Sequence, residues 1–312
     1  MKKTAAILLL FCLPLLLYAQ DKTEPAWVVF QKAKSFANQR EYGKAIEYFK
    51  EALTMQKDYP EAEMAIADIY WQIEGEFQLA ERHYQKALEK KNFFEIPNQK
   101  YEVMDKLGDL YLSWQRYFEY QHIQQSIISD DQDYNQREFQ NFRDAYYMLY
   151  MDKGFDQLFR LFRLSGYPQV IKAHRELGWF LYRSGQYKEA LTNLLFSLVQ
   201  LLSESFEYFR EFFPLYEYRT LNIFLKDLYA NQDIASYLDQ QDVYKTLYYL
   251  AATSYALGKN ELSKEIFRLI QGSAYRGKYY ALAGRQLNKA FIEDLLFIEK
   301  KEVKPNLDAL VN

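Results

Sequence analysis

A pattern of small and aromatic residues recurs along this sequence. Stretches 41–53 and 177–191 share one order of small, aromatic and aliphatic residues, with apolar positions three and four apart as in an α-helix. Small residues that allow two helices to approach closely follow at steps of 34, 41, 37, 33 and 74 residues: Ala33, Ala67, Gly108, Ala145, Gly178 and Ala252. One helical hairpin cannot bury such a face alone, so hairpins must stack. The sequence therefore predicts an all-α array of helical hairpins.

The repeated units resemble the tetratricopeptide repeat family, whose unit is a helix, a turn and a second helix over about 34 residues. The first unit has the family's alternation of small and aromatic residues at Ala33, Phe36, Tyr42, Ala45, Phe49 and Ala52. The clearest units cover 26–59, 60–94, 171–204 and 245–272, with a weak unit between 207 and 241. The resemblance implies a right-handed superhelical α-solenoid of about seven hairpins, forming one domain over 20–299.

The N-terminal residues have the order of a secretory signal peptide over 1–19. Two lysines precede an apolar run at 5–18, which is shorter than the roughly 20 residues of a membrane-spanning helix. We predict cleavage near Ala19 and an exported chain, periplasmic or secreted; retention of the segment as an anchor is the alternative. Cleavage removes the single cysteine, Cys12, and with it disulfide bonds and cysteine-based zinc sites.

Charge and motifs argue against nucleic-acid binding and against catalysis. Without the signal peptide the chain has 37 basic and 42 acidic residues, and this mild acidity disfavours a nucleic-acid partner. Its three histidines, His83, His122 and His174, lie far apart, and the nucleophile elbow, phosphate-binding glycine loop and zinc-protease motif are missing from the sequence. We predict a non-enzymatic protein without cofactor or metal, ending in a polar tail over 300–312.

The family resemblance also implies a binding surface. In tetratricopeptide repeats the first helix of each hairpin lines a concave groove that holds a protein or peptide partner. Carried onto this sequence, the groove positions that we select are Trp27, Phe30, Asp68, Trp71, Glu102, Asp105, Asp109, Arg175, Trp179, Tyr182 and Arg183. The N-terminal half of this set is acidic and the later half is basic, and Trp, Tyr and Arg often dominate binding energy at interfaces. We expect Arg175 and Arg183 to be exposed and to contact the partner.

Two alternatives to a protein scaffold remain open. Aromatic residues make up 18% of the chain, more than the repeat pattern needs. Exposed rings could line a cavity for a small solute or a glycan, as in a ligand-capture helper of an uptake or cell-wall system. A glycan-active enzyme would instead need two carboxylates facing each other across a cleft. An aromatic cavity would favour ligand capture, and an open polar groove would favour the scaffold; the oligomeric state is left open.

Overall fold

The computed structural model describes residues 24–130, 137–164 and 166–293. These ranges contain α-helices and no strand, which confirms the predicted all-α class. The α-helices are α1 Ala26–Asn38, α2 Tyr42–Met55, α3 Pro60–Ile69, α4 Phe77–Glu89, α5 Gln99–Ser113, α6 Tyr117–Ser129, α7 Arg137–Leu161, α8 Pro168–Arg183, α9 Tyr187–Phe212, α10 Leu221–Tyr229, α11 Gln232–Gln240, α12 Val243–Ala256, α13 Asn260–Gly272 and α14 Lys278–Asn288. Within the described ranges, none of these helices is both long and apolar enough to cross a bilayer. The predicted signal peptide and polar tail lie outside the described residues.

The chain folds into two compact units, and the boundary between them falls between Arg116 and Tyr117. In the first unit, α1 pairs with α2 and α3 pairs with α4, while α2 packs on α3 and α5 packs on α4. Ala33, Ala45 and Phe49 share one core cluster with Ile66, because small side chains let the large ring fill the space between hairpins. Successive hairpins therefore stack on one another in this unit, as the repeat pattern predicts.

In the second unit, α8 pairs with α9 and α12 pairs with α13, and α14 packs on α13. Helix α12 also packs directly on α8 and α9, so the two clear hairpins are neighbours. The stretch expected to hold a weak repeat forms the end of the long helix α9 and the short helices α10 and α11. These short helices are an insertion between two hairpins that already stack together.

The small residues of the pattern mark close helix contacts at most positions. A Cβ on Gly178 would lie 2.7 Å from Leu194 Cγ and Cδ2, so α8 approaches α9 within a distance that only glycine allows. Ala67 and Ala252 are buried. Ala145 is exposed. Its expected role as a contact residue is wrong, because it lies on a solvent-facing part of α7. That helix is interrupted further along at Gly154, where φ is +80°.

Candidate partner-binding face

Helices α8 and α12 together present a face of basic and aromatic side chains in the second unit. Arg175, Trp179 and Arg183 follow one another at intervals of four along α8, and Lys245 and Tyr249 do so along α12. Residues four apart lie on the same side of a helix, so each helix contributes one row. We call these five residues the α8–α12 face.

Trp179 is the centre of the α8–α12 face. The Lys245 Nζ lies 3.4 Å from the centroid of its ring, and the Arg175 Cζ lies 5.5 Å from it. The Tyr249 ring is 6.4 Å from the Trp179 ring and 5.3 Å, edge-on, from Tyr182. A cation over an indole ring is attracted by the negative π face, so the ring holds the Lys245 ammonium in place.

Lys245 is a half-buried cation whose surroundings lower its pKa. Burial lowers its pKa, and Arg175 and Lys278 lower it further, against the opposing effect of Asp242 and Glu176. Neither of these carboxylates forms a salt bridge with Lys245; Glu176 lies 3.8 Å from Lys172 instead. Among the described residues, the ammonium has a ring contact but no hydrogen-bond acceptor, and the buried Trp179 Nε1 also lacks one. The face can therefore accept an anionic group.

Two of the predicted groove residues are part of the protein interior. Arg175 is only 6% exposed, and its Nη1 donates to the backbone oxygen of Gln241 at 2.7 Å and to its Oε1 at 2.9 Å. Tyr182 is 0% exposed, and its hydroxyl accepts a hydrogen bond from the Glu293 backbone N–H at 3.3 Å. The expectation that Arg175 is exposed is wrong, because the chain just before α12 covers its guanidinium. Arg183 and Trp179 are partly accessible.

The predicted groove residues of the first unit fall into three environments. Trp27 is 62% exposed at the start of α1. Phe30 packs inward, with its ring 5.3 Å from Phe49 and 4.9 Å from Tyr59. Trp71 lies edge-on to Tyr84 at 6.4 Å. Of the three, Trp27 alone offers most of its surface to a partner.

The acidic residues of that unit are largely paired within the protein. Asp68 accepts hydrogen bonds from Tyr84 Oη at 2.6 Å and from Lys106 Nζ at 2.7 Å, and Lys106 also contacts Glu102 at 3.0 Å. Burial lowers the pKa of Lys106, but the hydrogen bonds and charges of these two carboxylates outweigh it and raise the pKa. The remaining predicted acids, Asp105 and Asp109, also have interaction partners. The expected acidic surface is therefore smaller than the sequence indicates.

Lys245 and Tyr249 were missed at the sequence level. Aligning Ala252 with Gly178 places Tyr249 at the repeat position of Arg175, so extending the register to the last clear unit would have selected it. Lys245 had no comparable signal. Its position over Trp179 depends on how closely α12 packs on α8.

Metal ions are held by close groups of histidine and carboxylate side chains, and His174 is the most deeply buried of the described histidines. His174 is fully buried, and its Nδ1 lies 2.7 Å from Asn193 Oδ1. Burial lowers the pKa of this imidazole to about 4, so it is neutral at physiological pH. In the part of the chain that the structure describes, no group of three His, Cys, Asp or Glu side chains is arranged to hold a metal ion.

Comparison with known proteins agrees with the helical hairpins. The sequence profile described as tetratricopeptide repeat matches residues 30–93. Residues 30–93 are therefore similar to tetratricopeptide repeats. Such repeats generally mediate protein–protein interaction, and their fold is typically a non-enzymatic scaffold.

The matches that extend over most of the chain are more distant. An uncharacterized protein of Borreliella burgdorferi is 23% identical, over 81% of this chain and 86% of its own. A solved structure of a putative kinesin light chain from Podosopora anserina, with nearly identical tetratricopeptide-like repeats, aligns at 12% identity and a TM-score of 0.42, covering 85% of this chain and 98% of that one. The C-terminal part of a tetratricopeptide repeat-containing protein from Cytophaga hutchinsonii aligns at 14% identity and a TM-score of 0.27, over 81% and 98%. The likeness to tetratricopeptide repeats rests on the match over 30–93.

Proposed function

We propose that this protein is a non-enzymatic scaffold that binds an acidic segment of a partner protein on the α8–α12 face. The observation that carries the proposal is the Lys245 ammonium, half-buried over Trp179 without a hydrogen-bond acceptor among the described residues. A partner carboxylate placed there would gain a charge-assisted hydrogen bond, and Arg183 would add a second cation at the accessible end of α8.

The aromatic surroundings favour a peptide over a free anion. Trp179 and Tyr249 offer ring surface next to the cations, and rings beside a charge are typical of the residues that dominate protein interfaces. An acidic side chain would pair with Lys245 while its neighbours in the peptide pack on the rings. The charge would then fix the orientation of the segment, and the rings would supply most of the buried area.

The test is a crosslinking pull-down with the full chain and three single variants. Lys245→Met keeps the length of the side chain and removes its charge, and Arg183→Glu reverses the second charge. Lys226→Glu is the matched control, because it reverses an exposed lysine on α10. We expect wild type and the control to retain the same partner, and both face variants to lose it by about tenfold or more.

Equal capture by Lys245→Met and wild type would refute the assignment to this face. Thermal unfolding of each variant shows whether a loss of capture reflects a loss of folded protein. Capture lost equally in the Lys226→Glu control would show a general charge effect and would also contradict the proposal. The partner's contact region should be acidic, which mapping of the crosslinked peptides reads directly.

We also propose that the scaffold works outside the cytoplasm, in an envelope or periplasmic complex. Support comes from the order of charge, apolar run and small residue over 1–19. Cell fractionation followed by N-terminal sequencing of the native protein tests this. An N-terminus near Gln20 in the envelope fraction is expected, whereas an intact Met1 in the cytoplasm would refute export.

A further inference from the structure

An open cavity of about 430 Å³ lies between the end of α9, the segment that follows it and α10. Its lining consists of three aromatic residues, one carboxylate, one amide and one alanine: Phe209, Phe213, Tyr216, Asp227, Ala230 and Asn231. Its volume is within the range of roughly 300–1,000 Å³ that small-molecule sites occupy. Phe209 lies near the end of α9, and the other lining residues lie between Phe213 and Asn231. None of them belongs to the α8–α12 face. We call this space the α9–α10 cavity.

Phe209, Phe213 and Tyr216 form the aromatic wall of the α9–α10 cavity, and contacts between their rings hold it in place. Phe209 lies 4.7 Å from Phe213 and 4.8 Å from Tyr216, whose ring is nearly perpendicular to it at 81°. Phe209 is buried, whereas Phe213 is 51% exposed and so presents ring surface to an incoming molecule. A large exposed ring held by a buried one is a fixed platform for a flat apolar surface.

The polar groups beside this wall have unused hydrogen-bonding capacity. Asp227 Oδ2 accepts from the Tyr216 hydroxyl at 2.8 Å, and Oδ1 has no donor among the described residues. Asn231 Oδ1 accepts from the backbone N–H groups of Asp233 and Ile234 at 3.0 and 3.3 Å, which fixes the amide and leaves its Nδ2 free to donate. The cavity thus offers one carboxylate acceptor and one amide donor next to a ring.

We propose that the α9–α10 cavity binds a neutral sugar ring of a glycan. A pyranose has an apolar C–H face that can stack on Phe213 and hydroxyl groups that both donate and accept hydrogen bonds. One hydroxyl would donate to Asp227, forming a charge-assisted bond, and another would accept from Asn231.

Other ligand classes fit the lining less well. An anion would meet the Asp227 carboxylate, and the lining contains no cation to offset that repulsion. A pure hydrocarbon would leave Asp227 and Asn231 without partners, which is costly for polar groups removed from water. An amine would satisfy Asp227 but would give Asn231 Nδ2 no acceptor. A neutral hydroxyl-rich ring satisfies both polar groups and the aromatic wall together.

The proposal is tested by calorimetry and ligand-observed NMR on the full chain. The probes are three neutral trisaccharides, triacetylchitotriose, maltotriose and cellotriose, with cadaverine as a cationic probe. The variants are Phe213→Ala, which removes the exposed platform, and Asp227→Asn, which keeps an acceptor for Tyr216 while removing the charge. Phe118→Ala is the matched control, because it removes an exposed ring from α6 in the same unit.

We expect at least one trisaccharide to bind, with affinity reduced about tenfold in Phe213→Ala and about fivefold in Asp227→Asn, and unchanged in Phe118→Ala. Absence of binding by all three trisaccharides at millimolar concentration would overturn the proposal. So would sugar binding that Phe213→Ala leaves intact, or tighter binding of cadaverine than of every sugar. Because the α8–α12 face uses other residues, the same variants should keep their protein partner.

Discussion

Gly178→Ala tests the close approach of α8 to α9. The new Cβ would lie 2.7 Å from two Leu194 side-chain carbons and 3.2 Å from the Leu194 backbone nitrogen. Leu194 is fully buried, so its side chain cannot move into solvent. Overpacking a well-packed core costs about 1–3 kcal/mol, whereas replacing a helical glycine with alanine gains about 0.5–1 kcal/mol. The variant should therefore lose roughly 1–2 kcal/mol of unfolding free energy.

Thermal unfolding followed by far-UV circular dichroism measures this loss. For a domain of about 150–250 residues, 1 kcal/mol corresponds to about 2–4 °C in Tm, so the midpoint should fall by about 2–8 °C. Gly284→Ala, in α14 of the same unit, is the matched control. Its added Cβ would meet only the Gln271 side chain, at 3.4 Å, which is an ordinary contact distance. We expect this control to keep or raise the midpoint.

A Gly178→Ala midpoint equal to or above that of wild type would refute the reasoning, since α8 and α9 would then have room for a methyl group. A loss of the same size in Gly284→Ala would also refute it, because the effect would belong to any helical glycine in this unit. Urea unfolding of both variants provides an independent measure of the same free-energy difference.

Two further predictions concern buried charged groups. Glu63 is buried and contacts His83 Nδ1 at 2.7 Å and Lys90 Nζ at 3.2 Å; burial raises its pKa, but these two bonds outweigh burial and lower it. The stabilisation by the ionised Glu63 is therefore present above the unfolded pKa near 4.5 and is lost as pH falls through the lower folded pKa. Glu63→Gln should lose about 1.5–3 kcal/mol of unfolding free energy at neutral pH. Urea titrations at acid pH should show a smaller difference from wild type. Arg175→Met should lower the unfolding midpoint, because it removes two hydrogen bonds to Gln241. Arg183→Met should leave the midpoint unchanged. Equal midpoints of the two variants in a thermal melt would contradict the structural role of Arg175.

The fold could be predicted because close helix packing leaves a local record in the sequence. Gly178 must be small because Leu194 fills the space beside it, and Ala33 is buried for the same reason in the first unit. The repeat of such positions identifies hairpins without any knowledge of their partners. The insertion of α10 and α11 was harder to predict, because its two short helices lie outside the direct stack of α12 on α8 and α9.

The candidate site could be predicted only in part, because a repeat register gives the direction of a side chain and says nothing of what covers it. The register selects Trp179 and Arg175 equally, yet Gln241 closes over Arg175 and leaves Trp179 partly accessible. Lys106 similarly pairs with Asp68 and Glu102, two of the acids that the register assigned to the groove of the first unit.

This difference matters for choosing residues to mutate. Reversing the charge of Arg175 would place a carboxylate against the Gln241 oxygens that its guanidinium now contacts, so a loss of partner binding would report a damaged fold as much as a damaged interface. Lys245 has no hydrogen bond to lose among the described residues, and burial already opposes its charge. Removing that charge gives up the attraction of the Trp179 ring but no hydrogen bond, so Lys245→Met should stay folded and its effect on capture should report on binding. A half-buried cation without an acceptor is therefore better evidence of a binding face than an arginine at the expected register position.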